Sequence, residues 1–503
     1  MIQTDSLILL VNSLSPSEKK KFREGKKEKD YTVLFEIIVE AGRTSSKELK
    51  EMFCQKRKDA NFNATVNYLY KTLLDRLVAL RENHDSHYLL LNLILRARVL
   101  FEKSLYEEAL ELLDQVKRKA VRYENHIALL YVSRLELEYL LIMNLPDLSE
   151  SDLLNKHFQI NEILKNIRKI NEHSSLYELL KHRILYKGNI RSQKEKDALN
   201  DLVISEMSIT SSQKDSFEAR KLHLLFQSNY LIGVGDYRSG LQSFRELNSL
   251  FEHEENSLSG FPFYYISTLE GILYNLRSIR RYDEMQFFIQ KLKNIQVTSE
   301  TLQININALI FLYELFPHLD KGDFHASEQV IQQHKDILLT KLGQLNLSRR
   351  AEISLYRSLV YIGYRKFKEA DKTLISEVVR ENKIYTLPLY RTIRLVDLII
   401  HYELGNFDFI HFESRSIKRK IPSPEKGYRV EKMMLRVLNK ERKFMLQSER
   451  EKLWTKLEPE LTDIQKDVFE KQLLVSFDFT AWIESQVRKI PLQDVLRNRF
   501  DEE

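Results

Sequence analysis

The stretch LIGVGDYRSGLQSF, residues 231–244, sets a glycine, an acid and an aromatic close together, with a second small residue three places after the aromatic. In a chain of 503 residues with only 13 glycines, a glycine at that place needs a reason. The pattern returns. Tyr106 is followed by Ala109, Tyr237 by Gly240, Phe324 by Ser327 and Phe367 by Ala370; Tyr282 and Phe407 recur with Met285 and Ile410 in the small position. Gly235, Gly322 and Gly405 each precede the aromatic by two places. From Tyr237 through Tyr282, Phe324 and Phe367 to Phe407 the aromatics are 45, 42, 43 and 40 residues apart. A period in the low forties marks a repeat array. The interval between Tyr106 and Tyr237 has room for three more units, with weaker turn signals near Leu148 and Ile190.

A helical hairpin accounts for the pattern. Glycine takes the left-handed conformation that closes the last turn of a first helix. Asp or Asn then caps a second helix. The aromatic ring packs back across the hairpin, and the small residue lets the two helices approach. Flanking segments carry the matching period: Leu395, Leu398, Ile399 and Tyr402 fall on one helical face, as do Leu222, Leu225, Phe226 and Asn229. An apolar stripe on every helix, with no sheet to cover it, must be buried by the next hairpin.

These turns resemble the tetratricopeptide-repeat superfamily of α-solenoids, on Tyr106 with Ala109, Tyr237 with Gly240, and Phe367 with Ala370. The likeness covers roughly residues 88–415, in a long-helix version, since the usual repeat is about 34 residues. It implies an all-α, right-handed superhelical solenoid of antiparallel helix pairs, with helical N- and C-terminal caps. The division expected is 1–83 for an N-terminal unit, 84–415 for the repeats and 416–503 for the C-terminal helices. The NYLY of residues 67–70 and the FDFTAWIES of residues 477–485 are also similar to a group of uncharacterised bacterial repeat proteins, which brings no activity with it.

Composition agrees. Hydrophobic residues make up 43% and charged residues 30%, enough to fill a large core, and only 9 prolines join the 13 glycines. The single Cys54 excludes a disulfide within the chain and a multi-cysteine zinc site. The first residues lack the basic segment of a signal peptide. No run of about 18 uncharged apolar residues occurs. A soluble cytoplasmic protein without a membrane partner is expected. The net charge of +6 permits a nucleic-acid partner without calling for one.

At the N-terminus, Ser15 with Glu18 and Ser45 with Glu48 have capping-box spacing, with Pro16 at a first helical position. A third helix follows, apolar at Val66, Leu69, Leu73 and Leu77. The unit resembles a helix-turn-helix or winged-helix module, in which Asn63, Asn67 and Lys71 would face base edges and Asp75 would oppose phosphate. Its nine-residue link, residues 54–62, exceeds the usual three- or four-residue turn. At the other end, Trp482, Ile483 and Val487 share a face, as a capping helix requires.

Chemistry is sparse. Gly233 and Gly235 lack the third glycine and the preceding strand of a nucleotide loop. His84 and His87, with Asp85 between them, share a helical face but read best as a polar linker. His401 and His411 are scattered, and no nucleophile sits with its base. No enzyme activity, cofactor or metal is expected. Residues 19–29 hold seven Lys or Arg, and a second basic run, Arg415, Lys418, Arg419, Lys420, Lys426 and Arg429, reads as a loop after a helix end and a candidate anion patch. The leading expectation is a protein-interaction scaffold that binds a peptide or helix in a groove lined by Tyr265, Tyr274, Tyr356 and Tyr361. The alternative is a regulator with a DNA-contacting N-terminal unit and a ligand-sensing repeat region.

Overall fold

The computed structural model describes residues 4–23, 29–42, 44–81, 86–145, 148–187, 190, 192–209, 216–253, 262–297, 299–375, 387, 389–420, 428–438 and 447–502. Among the described residues there are 26 α-helices and no strand. The chain is all-α. Consecutive helices pack in neighbouring pairs, an arrangement compatible with a helical repeat. Two compact units form. The first comprises Met1–Lys169, Phe251–Phe263 and Gln296–Gln303; the second comprises Ile170–Leu250, Tyr264–Ile295 and Ile304–Glu503.

The turn pattern has a backbone counterpart. Residues 104, 124, 144, 235, 280, 322, 365 and 405 all have positive φ, between 48° and 80°. In every case the N–H of that residue bonds the carbonyl three places back, and the next N–H bonds the carbonyl five places before itself. Gly235 N donates to Ile232 O at 3.0 Å and Asp236 N to Leu231 O at 2.9 Å; Arg365 N donates to Ile362 O at 2.9 Å and Lys366 N to Tyr361 O at 2.9 Å. This is the Schellman closure of a helix, which satisfies carbonyls the helix leaves open. Six of the eight residues precede a turn aromatic by two places, so the aromatic begins the next helix.

Only three of the eight are glycine. Ser104, Glu124, Asn144, Arg280 and Arg365 bear side chains in the same left-handed region, which costs each roughly 1–2 kcal/mol. At two of the glycines the C-terminal helices supply a second reason. A Cβ on Gly322 would lie 2.8 Å from Gln493 O, and one on Gly235 would lie 3.1 Å from Val468 Cγ1 and 3.3 Å from Val468 O. At Gly322 backbone meets backbone and a side chain would hold the helices apart; at Gly235 Val468 would have to give by a few tenths of an ångström.

The small residue after the aromatic is buried in every copy, including those with larger side chains: Ala109, Gly240, Met285, Ser327, Ala370 and Ile410. Gly240 touches both neighbours, its missing Cβ 3.6 Å from Leu231 Cβ and 2.8 Å from Asn275 Oδ1. The aromatics themselves divide. Tyr237 and Phe324 are buried, Tyr282, Phe367 and Phe407 are half-buried, and Tyr106 is 36% exposed against Phe101. A fully buried ring is thus not the common element, although Tyr106 still packs on Phe101 and Phe407 on Tyr402 across their hairpins; the turn backbone and the small residue are common to all.

In the first unit, helices Thr4–Asn12, Pro16–Arg23, Asp30–Ala41, Ser46–Lys56 and Phe62–Arg81 enclose Leu7, Val11, Phe22, Phe35, Ile38, Phe53, Val66 and Leu69. Both capping boxes form: Ser15 N donates to Glu18 Oε2 at 2.8 Å, and Ser45 N to Glu48 Oε2 at 3.0 Å. The expected long link is shorter, residues 57–61, because residues 54–56 continue the fourth helix and Phe62 starts the fifth. Helices Ser86–Glu102, Tyr106–Arg122 and His126–Ile142 share a second core of Leu90, Ile94, Ala97, Leu113, Val116, Val132 and Tyr139. Beyond the turn at Asn144 the regular spacing stops. A 38-residue helix, Glu150–Lys187, replaces the hairpins expected there.

In the second unit the C-terminal helices pack on several of the turns. Gln472 Nε2 donates to Ile190 O at 3.0 Å and Val468 packs on Gly235. Trp482 meets Tyr402 edge-on at 5.7 Å. Leu496 and Gln493 cover Gly322, and Phe500 stacks on Tyr282 at 5.7 Å. Trp482, Ile483 and Val487 are buried, as their common face requires.

Candidate functional site

The tyrosines expected to line a groove are distributed over two helices of the second unit. Tyr265 and Tyr274 lie on Phe263–Ser278, and Tyr356 and Tyr361 on Leu347–Gly363. Tyr265, Tyr274 and Tyr361 are half-buried, whereas Tyr356 is only 3% exposed. The reason is Arg277. Its guanidinium grips Asp320 with both arms, Nε and Nη2 each 2.8 Å from a carboxylate oxygen, and its Nη1 donates to Tyr356 Oη at 3.2 Å. The same group lies 3.6 Å from the centre of the Phe316 ring, and Tyr282 donates its hydroxyl to Asp320 Oδ2 at 2.9 Å.

Burial alone would lower the Arg277 pKa. The Asp320 carboxylate and the Tyr356 hydroxyl outweigh it, and the group is held well above its ordinary value. Burial pushes the Tyr274 hydroxyl up to about 12. Arg349 bridges Glu270 at 2.7 Å and Glu352 at 2.6 Å. Helices Phe263–Ser278, Glu300–Asp320 and Leu347–Gly363 are therefore joined side to side by paired charges. Tyr356 is committed to that network and offers nothing to a groove occupant, which corrects its assignment.

The basic run is also different from its expectation. Helix Phe407–Lys420 continues through Arg415 because no helix breaker precedes Pro422, so the first half of the run is helical and not a loop. Arg415 and Arg429 are exposed, and the Arg429 side chain lies 3.9 Å from Asp463. The side chains of Lys418, Arg419 and Lys420, and the whole of Lys426, lie outside the described residues. So do His84 and Asp85; His87 is exposed and pairs with Asn125 at 3.1 Å. On helix Phe62–Arg81, Asn63, Lys71 and Asp75 are exposed and Asn67 is half-buried. Cys54 is exposed.

An open apolar face occurs elsewhere, in the first unit. Helix Ser86–Glu102 buries Leu90, Ile94 and Ala97 on one side and exposes Leu91, Leu95 and Val99 on another, at 61, 63 and 54%. The exposed three are four residues apart and form a stripe. Helix His126–Ile142 exposes Ile127, Tyr131, Leu141 and Ile142. Arg98 Nη1 to Tyr131 Oη, 3.4 Å, joins the two faces. The signal was present in the sequence: SHYLLLNLILRARVLFE is apolar around more of its circumference than one core contact needs.

Two polar clusters were not read from the sequence. His173, Glu206 and His223 converge in the second unit, as do Asp371, Asp397 and His401. Burial raises the Asp397 carboxyl to about 6, with Asp371 adding to the rise and His401 and Arg394 opposing it. The first cluster draws one residue from each of three helices, so no short spacing announces it; in the second, Asp397 and His401 stand four residues apart on one helix and only Asp371 comes from another.

Compared with known proteins, the chain matches no family, no curated protein and no solved structure.

Proposed function

We propose that the chain is a protein-interaction scaffold on a tetratricopeptide-like solenoid, and that it receives an amphipathic helix on the face formed by Ser86–Glu102 and His126–Ile142. The observation that carries this reading is the exposed stripe of Leu91, Leu95 and Val99 beside Ile127 and Tyr131. Soluble chains rarely leave aliphatic side chains in contiguous rows unless something covers them. Covering each of the aliphatic members would return about 1.5–3 kcal/mol if burial were complete, enough in sum to offset the cost of association. Flanking Arg96, Arg98 and Glu102 give the rim mixed charge, which suits a helix with apolar residues at three- and four-residue spacing and polar flanks.

The test uses the full chain as bait beside a Leu91→Asp, Leu95→Asp double variant of equal helicity. Partners retained by the wild type and lost by the variant support the reading. An identical set of partners on both refutes it.

A further inference from the structure

Within the second unit, residues from three helices bring nitrogen and oxygen ligands to a single point. His173 stands on Glu150–Lys187, Glu206 on Asn200–Ile209 and His223 on Phe217–Gly233. The Nδ1 atoms of His173 and His223 lie 2.9 and 2.8 Å from the same oxygen, Glu206 Oε1. The His173 side chain is fully buried, that of Glu206 is 3% exposed and that of His223 is 24% exposed. The two rings are 6.1 Å apart at 68°, so each turns an edge toward the carboxylate. The far nitrogen of His173, Nε2, has no hydrogen-bond partner among the described residues. What Nδ1 faces therefore sets the orientation of that ring.

We propose that His173, Glu206 and His223 bind a divalent transition metal of the zinc class. Two imidazole nitrogens with one carboxylate oxygen suit a borderline ion such as Zn²⁺ or Co²⁺. Calcium and magnesium want six or more oxygens and are disfavoured. Each Nδ1 would give its hydrogen to Nε2 and turn its lone pair to the ion, and the cation would compensate the buried carboxylate. Three protein ligands leave a fourth position, and the partial exposure of His223 places solvent beside it. The proposal is independent of the docking face in the first unit.

Full-length protein stripped with a chelator is titrated with Co²⁺ and then with Zn²⁺. The expected result is one equivalent of Co²⁺ giving the visible absorption of a four-coordinate ion, displaced by Zn²⁺, with a rise in thermal midpoint when Zn²⁺ is added. Loss of one direct ligand in Glu206→Gln or His223→Asn should weaken binding by about 100-fold, the upper range seen when only an outer partner is removed. His223→Asn, at a partly exposed position, decides the matter if Glu206→Gln fails to fold. No four-coordinate spectrum, or an unchanged affinity in His223→Asn, overturns the proposal and leaves the cluster as hydrogen bonds alone.

Discussion

Replacing Gly363 with alanine tests how consecutive repeats fit together. Gly363 is the last residue of helix Leu347–Gly363, where alanine ordinarily gains about 0.5–1 kcal/mol over glycine. Here a Cβ would lie 2.3 Å from Cδ1 and Cε1 of Phe324 and 2.4 Å from its Cγ. Carbon atoms prefer roughly 3.5–4.0 Å, so the ring must retreat by about 1.5 Å. It has little freedom to do so. Phe324 is buried, Asp323 beside it caps the helix through Ala326 N at 3.0 Å, and Gly322 lies beneath Gln493 O. Overpacking of this kind costs about 1–3 kcal/mol, and full expulsion of the ring approaches the 3–5 kcal/mol of deleting it. The net expectation for Gly363→Ala is a loss of about 1–3 kcal/mol, opposite in sign to helix propensity. In a Phe324→Ala background the same change should become neutral or favourable by up to about 1 kcal/mol. A chain of this size in two units does not unfold in one step. Amide hydrogen exchange in helices Phe324–Gln333 and Leu347–Gly363 therefore supplies the local free energies. Increased protection in Gly363→Ala alone, or equal effects in both backgrounds, refutes the packing account.

Tyr237→Ala should cost about 3–5 kcal/mol because the ring is buried, while Tyr106→Ala, more than a third exposed, should stay within about 1 kcal/mol; amide hydrogen exchange in helices Tyr237–His253 and Tyr106–Arg122 compares them. Arg277→Ala removes the charge partner of Asp320, leaving it the Tyr282 hydroxyl alone, and strips the Tyr356 hydroxyl of its bond; it should cost about 3–5 kcal/mol, measured by exchange in Glu300–Asp320. Asp397→Asn is read by pH. Burial holds this carboxyl at about 6, above its unfolded value, so the folded state binds the proton more tightly. That contribution to stability is complete at low pH and is lost as pH rises from about 4 through 6. The variant should match wild type below about pH 4 and exceed it by up to about 3 kcal/mol above pH 6. A difference that does not change with pH would exclude Asp397 as its source.

How legible each feature was depends on how far apart its parts lie in the chain. The turns were readable because all their bonds span three to five residues. Gly235, Gly322 and Gly405 mark the left-handed position directly, and the aromatic two places on locates it at Arg280 and Arg365, which lack glycine. The capping boxes at Ser15 and Ser45 are equally local. The candidate groove was not readable. Tyr356 looks on paper like any half-exposed helical tyrosine; it is buried because Arg277, 79 residues earlier, reaches its hydroxyl. Conversely, Leu91, Leu95 and Val99 look like core and are exposed, since periodicity shows how many faces of a helix are apolar but not how many are covered.

By itself the sequence determined that the chain is helical, where most of its repeat turns fall, and which small residues must be buried beside them, because torsional preference and hydrogen bonding over a few residues decide those features. Only the tertiary structure decided that the C-terminal helices return to the turns at Gly235, Tyr282, Gly322 and Tyr402, and that His173 and His223 meet on Glu206. Both outcomes depend on the rotation and translation of whole helices against one another, fixed by the summed packing of many side chains, and no short window of sequence contains that sum.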